Sequence, residues 1–235
     1  ALAKKWNCAL LGSMYEPRRE INCRWWCDSR NGSNDRFLQA LDHFASVTRH
    51  AELKTAPWCL WGHSGGGFWA SLVQARHPDQ VVAIWFRSGT AFGYWTKGEI
   101  QVPRLSDVAY GIPMIGNPGL KEKGDSRFHT AWDGLRDMRA EYLKRGAEFF
   151  KFAPDPRTAH QCGDSRYMAI PFFDFWLRHR LPKPGTTDQL LRPAGPAVEL
   201  WASQMSAKLE EYKKTGAVSD TTPPPAPSAV RVKRL

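Results

Sequence analysis

The chain has 235 residues, of which 42% are hydrophobic and 12% aromatic, enough to bury the core of one large α/β domain or two small ones. It contains no run of about 18 apolar residues from which a membrane-spanning helix could be made. Its formal charge of +10 is scattered over Lys4-Lys5, Arg18-Arg19, Arg178 to Lys183, Lys213-Lys214 and Arg231 to Arg234. No stripe or binding motif gathers these groups, so nucleic acid is not an expected partner and they read as a solvated face.

Ala1-Leu2-Ala3-Lys4-Lys5 carries neither an initiating Met nor a signal peptide and reads as the end of a helix, as in a fragment of a longer chain. Trp6 to Gly12 is a short apolar run closed by Gly12 and Ser13, which predicts a buried strand of a parallel sheet. Residues 15–34 are rich in charge, Asn and Gly and predict a long loop. Five cysteines, Cys8, Cys23, Cys27, Cys59 and Cys162, leave the redox compartment undecided. Cys23 and Cys27 can bridge only if Arg24-Trp25-Trp26 turns, because an extended strand holds them about 13 Å apart. Ser33 or Asn34 can cap a helix whose apolar positions are Phe37, Leu41, Phe44, Ala45 and Thr48.

Pro57 opens an apolar strand in which Cys59 reads as a buried thiol, and which breaks into Gly62-His63-Ser64-Gly65-Gly66-Gly67. A helix then runs to His77, before Pro78. An apolar strand interrupted by G-x-S-x-G and resumed as a helix is a reactive-serine turn: the serine is held in a strained conformation, with small residues at Gly62, Gly65 and Gly66 letting the backbone close up. The helix starting at the serine directs its unpaired N–H groups and positive dipole end toward any oxyanion formed there. Val81 to Phe86 predicts a central strand. The aromatic loop behind it, Phe92-Gly93-Tyr94-Trp95, is expected on the ligand side of the sheet, where Phe92, Tyr94, Trp95 and the motif's own His63 are the substrate-binding candidates.

Ile112 to Asn117 is the next predicted strand and Pro118 to Asp125 a polar loop. A long helix follows from about Arg127 to Gly146. Phe149 to Ala153 is the last strand; Pro154 to Gly163 leads to a helix capped by Asp164 and carrying Tyr167, Ile170, Phe173, Trp176 and Leu177. Beyond Pro182 the texture changes to a proline-punctuated tail with one amphipathic helix from about Val198 to Lys214. Thr221 to Pro227 is a polyproline linker.

A serine hydrolase of this architecture needs Ser, acid and His in that order, each after a strand. His160 alone among the seven histidines follows the last strand by a short loop. Two carboxylates follow the Met114 strand: Glu122, at the Gly119-x-x-acid spacing, and Asp125, three residues further on. Both remain open. There is no H-E-x-x-H or paired C-x-x-C, and Gly65-Gly66-Gly67 lacks the Lys of a phosphate loop, so neither metal nor cofactor is expected.

From Ser64 through His160, the strand, elbow, acid loop and Pro154-Asp155-Pro156-Arg157-Thr158-Ala159-His160 resemble the α/β-hydrolase superfamily, closest to secreted bacterial esterases akin to dienelactone hydrolases and polyhydroxybutyrate depolymerases. The resemblance implies an α/β-hydrolase catalytic domain over residues 1–182, lacking its first strands, and a C-terminal extension over 183–220. Residues 221–235 hold the linker and an alternating segment that resembles the first strand of a fibronectin type III module. It further implies a secreted or periplasmic serine esterase with a Ser64, Glu122 or Asp125, and His160 triad, acting on small-molecule or polymer-linked esters. Gly65 supplies one oxyanion donor, and the second belongs to a His-Gly-Gly-type loop upstream of this sequence. Glu122 departs from the family, whose acid is usually Asp. A related peptidase, amidase or lactonase, and a non-catalytic binding domain on the same fold, are the alternatives.

Overall fold

The computed structural model describes residues 2–13, 23–183 and 191–218; the expected linker and fibronectin-like segment lie outside the described residues. Helix α1 (Leu2–Trp6) comes first, then a 3-10 turn at Cys23–Cys27 and helix α2 (Ser33–Thr48). Strand β1 (Trp58–His63) leads into α3 (Gly65–Arg76) and β2 (Val81–Arg87). The short helices α4 (Phe92–Thr96) and α5 (Asp107–Tyr110) precede β3 (Met114–Asn117), α6 (His129–Lys144) and β4 (Phe150–Phe152). The described part closes with α7 (Arg166–Arg180), α8 (Val198–Gln204) and α9 (Ser206–Thr215).

Among the described residues four strands form one parallel sheet in the order β1-β2-β3-β4, as expected of an α/β protein whose apolar runs alternate with helices. All seven residues of β2 and all four of β3 are buried, since both faces are covered. On one face Leu60, Ile84, Phe86, Met114 and Phe150 meet Phe37 of α2, Val73 of α3 and Leu135, Met138 and Tyr142 of α6. On the other, Val82, Trp85 and Ile115 meet Phe172 and Trp176 of α7, with Trp201 of α8 and Tyr212 of α9 packed behind them. The register brings His63, Arg87 and Asn117 level in one row at the carboxyl edge. The segments that follow these strands therefore leave the sheet side by side.

Several expectations from the sequence change. The apolar run from Trp6 to Gly12 is not a strand: Leu2–Trp6 is helical, and 8–13 is irregular and exposed, with Leu10 88% accessible. A short apolar run does not separate helix from strand by period. Here Asn7, at φ 52°, ends the helix and Cys8 N–H donates back to Ala3 O (2.8 Å), a Schellman closure. Cys59 is exposed, because among the described residues β1 pairs with β2 alone and Cys59 and Trp61 alternate onto its less covered face. Cys27 is buried, and its Sγ donates to Arg24 O (2.9 Å) across the 3-10 turn. Neither Ser33 nor Asn34 caps α2, whose N-cap is Gly32 at φ 71°; Ser33 Oγ donates to Trp26 O instead. Likewise Ser165, not Asp164, precedes α7, without a side-chain cap bond. The single helix expected over 198–214 is broken at Met205 into α8 and α9.

Candidate active site

Ser64 sits between β1 and α3 at φ 53°, ψ −119°, a conformation that costs a non-glycine residue about 1–3 kcal/mol and persists only where its surroundings hold it. Ser64 N–H donates to Arg87 O of β2 (2.9 Å), and Ser64 O receives Gly67 N–H (2.9 Å). The glycines that allow this are not all those the motif suggested. A Cβ on Gly62 would overlap the Gly66 carbonyl, one on Gly67 the Gly89 carbonyl, and one on Gly89 the Ser64 carbonyl, whereas one on Gly66 meets nothing within 4 Å. Gly67 and Gly89 are thus the residues that let α3 and the turn after β2 close on the serine. That turn is itself strained at Ser88, φ 53°.

Three side chains converge from three strand ends. His160 Nε2 lies 3.0 Å from Ser64 Oγ, and His160 Nδ1 lies 2.6 Å from Glu122 Oε1. Against a carboxylate the Nδ1 position carries the proton, so Nδ1–H donates to Glu122 and Nε2 accepts from the Ser64 hydroxyl. Glu122 is fully buried, and its second oxygen accepts Gly119 N–H (3.1 Å). The Gly119-x-x-Glu122 spacing has a local cause: Leu120–Glu122 is one 3-10 turn that folds the carboxylate back over its own start. Gly119 itself runs against the histidine loop, where a Cβ would overlap Ala159 O. The two loops are zipped together by Leu120 N–H to Asp155 O (2.8 Å) and Lys121 N–H to Thr158 O (3.1 Å).

Asp125 does not meet His160. Its Oδ1 accepts the Arg127 and Phe128 N–H groups at 2.8 and 2.7 Å, and these bonds hold its carboxyl below the ordinary value of 3.8. Of the substrate-binding candidates, His63 turns to the histidine loop, its Nε2–H donating to His160 O (2.7 Å). Burial above all pushes the His63 pKa down. The expected aromatic loop is helix α4, and its rings pack inward: Trp95 is 3% exposed among Cys27, Leu72 and Ile100. Phe92 stands edge-on to Tyr142, and Tyr94 lies against Phe68 and under the Arg24 guanidinium. Gly65 opens α3 and is buried, and its N–H, as a first-turn amide, has no acceptor within the helix.

Two participants carried no sequence signal. Phe128 lies flat on the His160 ring, centroids 3.9 Å apart and planes 7° apart. Arg87 is fully buried at the end of β2 and directs its guanidinium at the loop holding His160. Burial lowers its pKa, yet a guanidinium stays charged. A cavity of about 470 Å³ lined by Asp79, Gly111, Glu148 and Arg180 opens at the other end of the sheet, beside residues that precede β2, β3 and β4. It is remote from Ser64. Among the described residues no helix is long and apolar enough to cross a membrane.

Chemically, the convergence offers a hydroxyl that can lose its proton to an imidazole held in one tautomer by a buried carboxylate. Comparison with protein-family models, with curated proteins and with solved structures finds no match.

Proposed function

We propose that the chain is a serine hydrolase of the α/β-hydrolase type that cleaves carboxylic esters through an acyl-enzyme. The observation that carries this reading is the unbroken relay Ser64 Oγ to His160 Nε2 (3.0 Å) and His160 Nδ1 to Glu122 Oε1 (2.6 Å), with the serine at φ 53° on a strand-to-helix turn. The order Ser, acid, His along the chain supports it, as does the parallel sheet whose carboxyl edge bears all three.

In the reaction, Ser64 Oγ attacks the ester carbonyl carbon while its proton passes to His160 Nε2. Glu122 stabilises the imidazolium and holds its ring. The carbonyl oxygen becomes an oxyanion facing the Gly65 N–H at the start of α3. Collapse breaks the carbon–oxygen bond to the alcohol, which takes the proton from His160 Nε2 as it leaves, so the acyl group stays on Ser64. A water then gives its proton to His160 and attacks the acyl carbon. The second collapse returns the proton to Ser64 and releases the carboxylic acid.

A fluorophosphonate probe and p-nitrophenyl butyrate test this directly. The chain is expected to label and to hydrolyse the ester, and Ser64→Ala to do neither. A chain that does not label, or that labels equally as Ser64→Ala, rules the proposal out. A matched anilide of the same acyl group, cleaved faster than the ester, would move the assignment to an amidase.

A further inference from the structure

All three guanidinium nitrogens of one buried cation donate to the histidine loop or to the end of β3, and the acyl-enzyme chemistry does not use it. We infer that Arg87 is a positioning residue for the Ser64, His160 and Glu122 relay, tying together the three segments that carry these side chains. The inference rests on the hydrolase reading for its kinetic consequence, although not for its geometry.

Arg87 closes β2, between the strand that ends at His63 and the strand that ends at Asn117. Its carbonyl accepts the Ser64 N–H at 2.9 Å, which pins the elbow. Its Nη1 donates to Asn117 O (2.7 Å), three residues before the turn that presents Glu122. Its Nε donates to Cys162 O (3.1 Å), and its Nη2 donates to Thr158 Oγ1 (2.7 Å), Ala159 O (3.4 Å) and Gln161 O. The carbonyls on both sides of His160 are therefore held by one rigid fork, while the carbonyl of His160 itself is held by His63 Nε2–H.

The choice of residue is informative. Burying a guanidinium without a hydrogen-bonded carboxylate costs several kcal/mol, and an apolar side chain of similar volume would fill the site without that cost. An apolar residue would leave the carbonyls of this irregular, part-buried loop without the side-chain partner that fixes them, and a lysine, with three donors on one point, cannot span acceptors on residues 117, 158, 161 and 162. Only a planar fork with five N–H groups reaches all of them. What it secures is the placement of the imidazole, and a displacement of about 1 Å in such a group costs about 100-fold in rate.

The test uses the full chain, with active sites counted by fluorophosphonate titration. Arg87→Lys is expected to lower kcat for p-nitrophenyl butyrate by about 100-fold per labelled site with KM within about twofold, as a misplaced base does. The downfield proton resonance of His160 Nδ1–H, present in the parent chain, should vanish or broaden. Thr158→Val, which removes one acceptor, should shift both in the same direction by less, and guanidinium ion should restore part of the activity of Arg87→Ala. Arg87→Lys with parental kcat and an intact downfield resonance overturns the inference. So does a loss of activity that follows only the fraction of unfolded protein. If Arg87→Lys does not fold, Thr158→Val decides by the same two readouts. If the parent chain neither labels nor hydrolyses, the esterase reading fails, and the downfield resonance still reports whether Arg87 positions His160.

Discussion

Phe128 and Glu122 hold His160 in two different ways, one by its face and one by its Nδ1 proton. Asp125 contributes at one remove: by accepting the Phe128 N–H it sets the ring that stacks on the imidazole. This separates the two acids experimentally. Glu122→Gln places a neutral amide against Nδ1, which can neither stabilise the imidazolium nor enforce the tautomer, so turnover should fall on the order of 10³ to 10⁴-fold. Asp125→Asn keeps a side-chain oxygen able to accept the same two N–H groups, and steady-state kinetics should stay within a few-fold of the parent. Ser64→Ala and His160→Ala should each cost on the order of 10⁴ to 10⁶-fold. A larger loss in Asp125→Asn than in Glu122→Gln would reverse the assignment. Ser64 and His160 are legible in the amino-acid sequence because the reactive-serine turn and the loop after the last strand are local patterns. Arg87 and Phe128 are not. A single arginine ending a strand has no period, and its partners lie 30 to 75 residues further along the chain.

The elements around the site are held by close backbone approach. Strands β2 and β3 can be read from their apolar runs because burial on both faces leaves no alternation to misread. The tight contacts cannot, since they depend on which glycine meets which carbonyl. Gly66 and Gly67 make this a paired experiment. Gly66→Ala puts a methyl group into open space on α3 and should hold or raise the melting temperature, by up to about 1 kcal/mol of added helix stability. Gly67→Ala drives a methyl group into the Gly89 backbone and should cost about 1–3 kcal/mol or more while loosening the Ser64 turn. Equal melting temperatures for the two variants would contradict the packing. The end of β1 is tied to the histidine loop by His63, whose burial lowers its pKa below the ordinary 6.5, outweighing the opposing hydrogen bond to His160 O. The unfolded chain therefore binds more protons there below about pH 6.5, and stability rises with pH through that window and is lost as pH falls. His63→Gln keeps an amide donor for His160 O and should flatten that part of the slope when urea midpoints are compared at about pH 5 and pH 7. Parallel slopes for the two proteins would show that His63 is not a source of the dependence.

At the scale of the whole molecule, the sheet has two helical faces, and the second depends on residues beyond the proline-rich change in texture at Pro182. Composition marks 183–220 as an extension, because prolines and a single amphipathic pattern give no hint of what the pattern covers. The structure packs α8 and α9 into the same core as α7. Trp201 stacks on Trp176 at 5.4 Å with planes 18° apart, and meets Phe172 and Phe175 edge-on. The tail also reaches the site loops, since the Tyr212 hydroxyl accepts from Asn117 Nδ2 (3.1 Å) and Arg157 Nη2 donates to Gly216 O (2.5 Å). Arg180 closes the other end, its Nη1 donating to Val81 O and Val82 O and its Nε to Arg192 O (2.8, 2.6 and 3.0 Å). A separable appendage would unfold without effect on the sheet, whereas a shared core makes the two melt together. Trp201→Ala should therefore destabilise the whole chain by about 3–5 kcal/mol, the cost of emptying a buried tryptophan site. A single unfolding transition should be retained, followed both by circular dichroism and by loss of Ser64 labelling. If labelling survived to the parental midpoint while the tail melted early, residues 191–218 would be an independent unit, and the domain that holds the sheet would end near Lys183.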